Sequence, residues 1–123
     1  MKTILIIEDN EDNMKLMAFI LEKNGYRVSR AVSGREGIEK ALNTTPDLVL
    51  LDIQLPDMNG IDVLKAIRAS AEGGGLPIVA VTSFAMSGDR QRLLDAGCTG
   101  YIEKPINPET IMAEIRHYAG ESS

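Results

Sequence analysis

Four short apolar runs in this chain each lead into a residue that carries charge or a hydroxyl. The run at 4–7 meets Glu8-Asp9, the run at 48–51 meets Asp52, the run at 78–81 meets Thr82, and Tyr101-Ile102-Glu103 meets Lys104-Pro105. A short apolar run bounded by turn residues, as 48–51 is by Pro46 and Gly60, reads as a strand buried on both faces of a parallel sheet. In such sheets ligand chemistry gathers at the carboxyl ends of the strands. Three carboxylates at one point repel, so at neutral pH one of them takes up a proton unless a cation joins them. Glu8, Asp9 and Asp52 are therefore candidate metal ligands. All-oxygen donors select a hard ion, and Mg2+ suits an open site whose shell is completed by water and phosphate. A single His and a single Cys far apart disfavour zinc. The Lys104 ammonium and the Thr82 hydroxyl beside these carboxylates would cradle phosphate oxygens, and the chemistry implied is phosphoryl transfer to a carboxylate nucleophile. Acidic residues at strand ends also cap helices or solvate loops, and for any one residue that reading serves equally well. The coincidence of all five residues at strand exits favours a joint site.

To bring these residues to one edge, strands and helices must alternate, and the sequence pattern does so. Residues 10–23 read as a helix that stops at Asn24-Gly25, where glycine takes a left-handed cap. Residues 27–31 read as a second strand. Ser33-Gly34-Arg35-Glu36 matches a capping box that opens a helix through Leu42, with Thr44-Thr45-Pro46 ending it. After the Asp52 strand come a helix at 61–69 and Glu72-Gly73-Gly74-Gly75, which reads as flexible linker material within the domain. A fourth strand at 78–82 precedes a short helix at 89–96 closed by Gly97. The fifth strand, at 101–103, leads to Asn107-Pro108-Glu109, an N-cap with proline at the first helical position. Ile111, Ile115 and Tyr118 form the apolar face of that last helix. Five strands alternating with five helices imply an α/β fold with one doubly wound parallel sheet. Residues 1–119 are expected to form one domain, with 120–123 as a frayed tail.

A chain of 123 residues can bury roughly two-thirds of its unfolded surface, so no disulfide or metal staple is needed to hold it. The net charge of −5, with no basic stripe, argues against a nucleic-acid partner. No segment is long and apolar enough to span a membrane, and Lys2 is followed by a run too short for a signal peptide. Cys98 cannot form an internal disulfide and reads as a small semi-buried hydrophobe in a reducing compartment, so a cytoplasmic location is expected. His117 reads as a surface residue near a helix C-terminus. Met14, Met17, Met58, Met86 and Met112 read as core fillers or contact residues. Gly34 and Gly37 do not make a dinucleotide fingerprint.

Glu8-Asp9-Asn10, Leu50-Leu51-Asp52-Ile53-Gln54-Leu55-Pro56 with Gly60, Val81-Thr82 and Tyr101-Ile102-Glu103-Lys104-Pro105 together resemble the receiver domain of bacterial two-component response regulators, the CheY-like superfamily. The resemblance runs from about Lys2 to Tyr118, and three stretches (8–16, 52–56 and 79–88) look especially like single-domain regulators of the DivK type. It implies a flavodoxin-like sheet of strand order 2-1-3-4-5. It also implies that Asp52 is the phosphoacceptor, charged by a histidine kinase or a histidine phosphotransfer protein. Asp9, Asp52 and the backbone carbonyl of Gln54 then match the Mg2+ ligands, with Glu8 acting through metal-bound water. Lys104 matches the lysine that pairs with phosphoryl oxygens, and its bond to Pro105 is typically cis in the family. Thr82 and Tyr101 match the switch pair. Glu8 stands where Asp is common and Ser83 where Ala is common; with Gln54 and Phe84, these leave phosphoryl lifetime open.

The implied function is that of a stand-alone regulator, monomeric when unphosphorylated, whose phosphorylation changes a surface read by a downstream protein. It would catalyse only transfer to and from its own Asp52 and so would not be an enzyme. Two alternatives are a small Mg2+-dependent phosphohydrolase and a receiver excised from a hybrid kinase. The first is disfavoured by the absence of a glycine-rich phosphate loop after the first strand, and by Gln54 where an acid-base aspartate would stand. On the first helix, Met14, Met17, Ala18 and Leu21 share a face toward the sheet, while Leu16 and Phe19 point elsewhere. Those two either tuck under a neighbouring helix or, with Pro105, form the exposed surface where a phosphodonor docks. Docking there is what the resemblance implies.

Overall fold

The computed structural model describes residues 2–83 and 87–119, with the backbone alone at 87 and 88. Among these, five strands, β1 (Thr3–Ile7), β2 (Arg27–Ala31), β3 (Leu48–Asp52), β4 (Ile78–Thr82) and β5 (Gly100–Glu103), form one parallel sheet of order β2-β1-β3-β4-β5. The intervening helices are α1 (Glu11–Lys23), α2 (Gly34–Thr44), α3 (Gly60–Ala69), α4 (Ser87–Asp95) and α5 (Pro108–Tyr118). This is the doubly wound topology expected from the sequence.

Alternate residues of the central strands serve two cores. Ile4, Ile6, Leu48, Leu50, Val79 and Val81 pack against side chains of α1 and α5, while Leu5, Ile7, Val49, Leu51, Ile78 and Ala80 pack against α2, α3 and α4. Every residue of β3 and β4 is buried. Each fully buried Leu or Ile is worth about 2 kcal/mol of transfer free energy, so strand positions, and with them the strand exits, are firmly set.

Helix ends follow local chemistry to within two residues. Asn10 Oδ1 accepts from the Asn13 N–H at 2.9 Å, so α1 starts at Glu11, and Gly25 beyond its end takes φ 90°. Ser33 Oγ accepts from the Glu36 N–H at 3.2 Å, but the Glu36 carboxylate reaches one residue further back than a capping box requires, accepting from the Val32 N–H at 2.7 Å. Helix α2 runs two residues past Leu42 and stops where Thr45 adopts φ 42°. Asn59 Oδ1 caps α3 through the Ile61 N–H at 2.8 Å. At Gly60 the backbone passes so close to β3 that a Cβ would lie 2.5 Å from Ile53 Cα. Helix α4 begins at Ser87, two residues before the expected start.

The run at 72–75 is not simple linker. Ala71–Gly73 form a 3₁₀ turn in which Gly73 is buried, a Cβ there would sit 2.1 Å from the Ile67 carbonyl oxygen, and the Gly73 carbonyl accepts from Arg68 Nη1 at 2.6 Å. Glycine is used here for close approach. Cys98 is buried, and burial pushes its thiol up. Met14, Met17 and Met112 lie in the core, and His117 is exposed. Phe84, Met86 and residues 120–123 lie outside the described residues.

Candidate functional site

Parallel register delivers the expected side chains to one edge. Ile7 pairs with Leu51, so Glu8 and Asp52 follow side by side; Asp52 pairs with Val81, and Thr82 with Glu103, which puts Lys104 one step beyond. The ladder continues past the strand ends, where Glu8 N–H donates to the Ala31 carbonyl at 3.0 Å and Lys104 N–H to the Thr82 carbonyl at 2.8 Å.

Glu8, Asp52 and Thr82 are buried, whereas Asp9 is exposed. One carboxylate oxygen from each of Glu8, Asp9 and Asp52 falls within 4.8 Å of the others. The Lys104 ammonium lies 3.2 Å from Asp52 Oδ1 and 3.4 Å from Glu8 Oε1. Asp52 Oδ1 also accepts from the Gln54 N–H at 3.1 Å, and Glu8 Oε2 from the Asn10 N–H at 3.3 Å. Glu8 Oε1 is buried and, beyond its ion pair with Lys104, has no hydrogen-bond partner among the described residues. A buried carboxylate oxygen whose acceptor capacity is only partly filled favours a further partner. Desolvation, reinforced by the neighbouring Asp52, pushes Glu8 up to about 7, with Lys104 and the Asn10 amide working the other way. A buried carboxylate oxygen without a hydrogen bond among the described residues, three acidic groups converging from two strand exits and an all-oxygen donor set are what a hard divalent cation fits. This cluster could bind a metal ion.

Other expected residues lie around this centre. Gln54 is on the loop that leaves β3, held to Asp52 by its own amide. The Lys104-Pro105 peptide is cis. Tyr101, on β5, is half-buried, and the Arg90 guanidinium lies over its ring at 5.1 Å from the centroid. Leu16 is 39% exposed and Phe19 63%. Leu16 lines a groove of about 390 Å3 with Asn13, Ser83, Lys104, Pro105 and Ile106. Phe19 is not among its lining residues and packs instead under Lys23, whose ammonium is 5.9 Å from the ring centroid. Sequence patterns do not mark Arg90, which lies over Tyr101, or Asp57, whose carboxylate accepts from the Gly34 and Arg35 N–H groups. Both act on residues distant in the chain.

A family model for the response regulator receiver domain matches residues 4–116. The chain is 42% identical to the polar-differentiation response regulator DivK of Brucella ovis over 121 residues, covering 98% of each chain. Among solved structures it resembles the chemotaxis protein CheY4 of Vibrio cholerae, with a TM-score of 0.91 at 29% identity, over 96% of this chain and 98% of that one. It also resembles the receiver domain of the sensor histidine kinase PA1611 of Pseudomonas aeruginosa, a structure with a magnesium ion coordinated in its active site cleft, with a TM-score of 0.89 at 32% identity over 98% of both chains. The topology and the family match over nearly the whole chain agree, so the chain belongs to the response regulator receiver domains, the phosphorylation-dependent signalling modules of two-component systems.

Proposed function

We propose that Asp52 is the phosphoacceptor. A carboxylate oxygen of Asp52 attacks the phosphorus of a phosphohistidine on a histidine kinase or histidine phosphotransfer protein; the P–O bond forms as the P–N bond breaks, and the imidazole nitrogen keeps the electron pair and takes up a proton. The observation that carries this reading is the convergence of the Lys104 ammonium at 3.2 Å and the Gln54 amide at 3.1 Å on the same oxygen of a buried carboxylate at a strand exit. These two donors orient the nucleophile and compensate charge. Asp9, Asp52 and the Gln54 carbonyl would hold Mg2+, with Glu8 acting through a bound water; the ion, when bound, neutralises charge on the phosphoryl oxygens.

Lys104 is then the residue that pairs with a phosphoryl oxygen after transfer, and the Thr82 hydroxyl donates to another. Movement of Thr82 toward the phosphoryl group lets the Tyr101 ring turn inward, which alters the α4 and β5 surface beneath Arg90. A downstream protein reads that surface, and no external substrate is turned over. By analogy with the DivK relative, the receiver unit, residues 1–119, acts as a single-domain regulator, monomeric when unphosphorylated and working in the cytoplasm without nucleic-acid or membrane partners. Among the described residues no helix is long and apolar enough to cross a membrane.

Incubation with acetyl phosphate and Mg2+ should add one hydroxylamine-labile phosphoryl group per chain, and Asp52→Asn should reduce the labelling to background. Labelling of that variant at the wild-type level would sink the assignment.

A further inference from the structure

The loop at 53–59 carries Gln54 and is moored at both ends of its reach. At one end the Gln54 N–H donates to Asp52 Oδ1 at 3.1 Å, and Gln54 forms an isolated antiparallel bridge with Asn59. At the other, Asp57 Oδ1 accepts from the Gly34 N–H at 2.8 Å and Asp57 Oδ2 from the Arg35 N–H at 3.1 Å. One carboxylate thus closes two amides at the N-terminus of α2, and these bonds hold Asp57 below the usual carboxylate range. Met58 locks the same junction: a Cβ on Gly34 would lie 2.4 Å from Met58 Cγ and 2.8 Å from Val63 Cγ2. Helix α2 already has a cap of its own, the Ser33 hydroxyl. Asp57 is therefore a second cap, supplied by the loop next to the acidic cluster.

Resting on the reading of the Gln54 carbonyl as a metal ligand, we infer that Asp57 is a positioning residue for the metal site: its paired bonds to Gly34 and Arg35 hold residues 53–59 in the conformation that offers that carbonyl to the ion. A ligand held in place only part of the time lowers apparent affinity in proportion to the fraction competent. Helix α2, which touches no reacting group, becomes part of the support of the metal site.

The test uses the full chain and follows Mg2+ titrations by backbone amide shifts, with thermal unfolding measured in parallel. Asp57→Ala should raise the Mg2+ dissociation constant about tenfold, as loss of an outer partner of a metal ligand does, and Asp57→Asn, which keeps one acceptor oxygen, should fall between it and wild type. Ser33→Ala removes a cap from the same helix end without touching the loop, so it should lower the melting temperature while leaving the dissociation constant within about twofold of wild type. A Mg2+ affinity unchanged in Asp57→Ala, or weakened as much by Ser33→Ala, would overturn the inference. Asp9→Ala separates the two levels: an undiminished Mg2+ response in that variant overturns the metal reading itself, whereas a weakened response with Asp57→Ala unchanged overturns only the role of Asp57.

Discussion

Glu8 and Lys104 form an ion pair of 3.4 Å, and Glu8 Oε1 has no hydrogen-bond partner among the described residues. The same ammonium lies 3.2 Å from Asp52, so one cation serves two buried carboxylates. Burial strips water from Glu8 and the neighbouring Asp52 adds to the effect, and a single positive charge shared between two carboxylates does not offset it, so Glu8 retains a proton to an unusually high pH. The site is built to gain stability when a further cation joins it.

That imbalance sets a pH dependence. In the folded chain without divalent metal, Glu8 holds its proton up to about 7, whereas its ordinary value is 4.5. The folded state binds more protons between these values, so stability falls as pH rises through that window. At about 1.4 kcal/mol per pKa unit the loss is roughly 3 to 4 kcal/mol. Glu8→Gln should abolish it. Urea unfolding in EDTA at a series of pH values provides the check, and the difference between the two curves isolates Glu8, because the depressed Asp57 carboxyl titrates below the window. Mg2+ competes with this proton, so wild-type Mg2+ affinity should rise with pH over the same range. A wild-type stability curve that climbs relative to Glu8→Gln would contradict the account.

Thr82→Ala should separate metal binding from switching. Thr82 is buried at the β4 exit beside the acidic cluster, and loss of its hydroxyl should cost about 1 kcal/mol of stability while leaving the Mg2+ titration near wild type. Beryllofluoride, which mimics the phosphoryl group on Asp52, should shift the Tyr101 ring resonances in wild type and much less in the variant. Equal shifts in both would break the proposed link from Thr82 to Tyr101.

Donor docking should be sensitive to Leu16 and Phe19 and insensitive to their effect on folding, since both are exposed. Leu16 shares a groove with Lys104 and Pro105, and Phe19 does not line it. Leu16→Ala should therefore slow transfer from the cognate phosphodonor more than Phe19→Ala does, with stability changes within about 0.5 kcal/mol for each. Labelling by acetyl phosphate should be almost unchanged in both. Equal slowing with both donors would identify an active-site defect and remove the docking surface.

The alternation of elements, the strand exits and two helix caps were legible in the chain itself, because they rest on interactions within a few residues: short buried runs at 48–51 and 78–81, Ser33 and Asn107 as caps, Gly25 beyond α1. Exits of parallel strands converge once their order is set, so Glu8, Asp9, Asp52, Thr82 and Lys104 could be grouped before any contact was seen. Contacts between distant elements could not be read this way. A glycine run shows no side chain, so Gly73 read as linker until Ile67 and Arg68 were seen packed around it. Helical periodicity turned both Leu16 and Phe19 away from the core, but only the placement of the Pro105 loop distinguishes the residue in the groove from the one outside it. Asp57 caps a helix 22 and 23 residues earlier in the chain, and the elevated Glu8 depends on desolvation by the assembled sheet. Such effects arise when packing brings remote groups together and removes water from between them, and the tertiary structure alone decides where that happens.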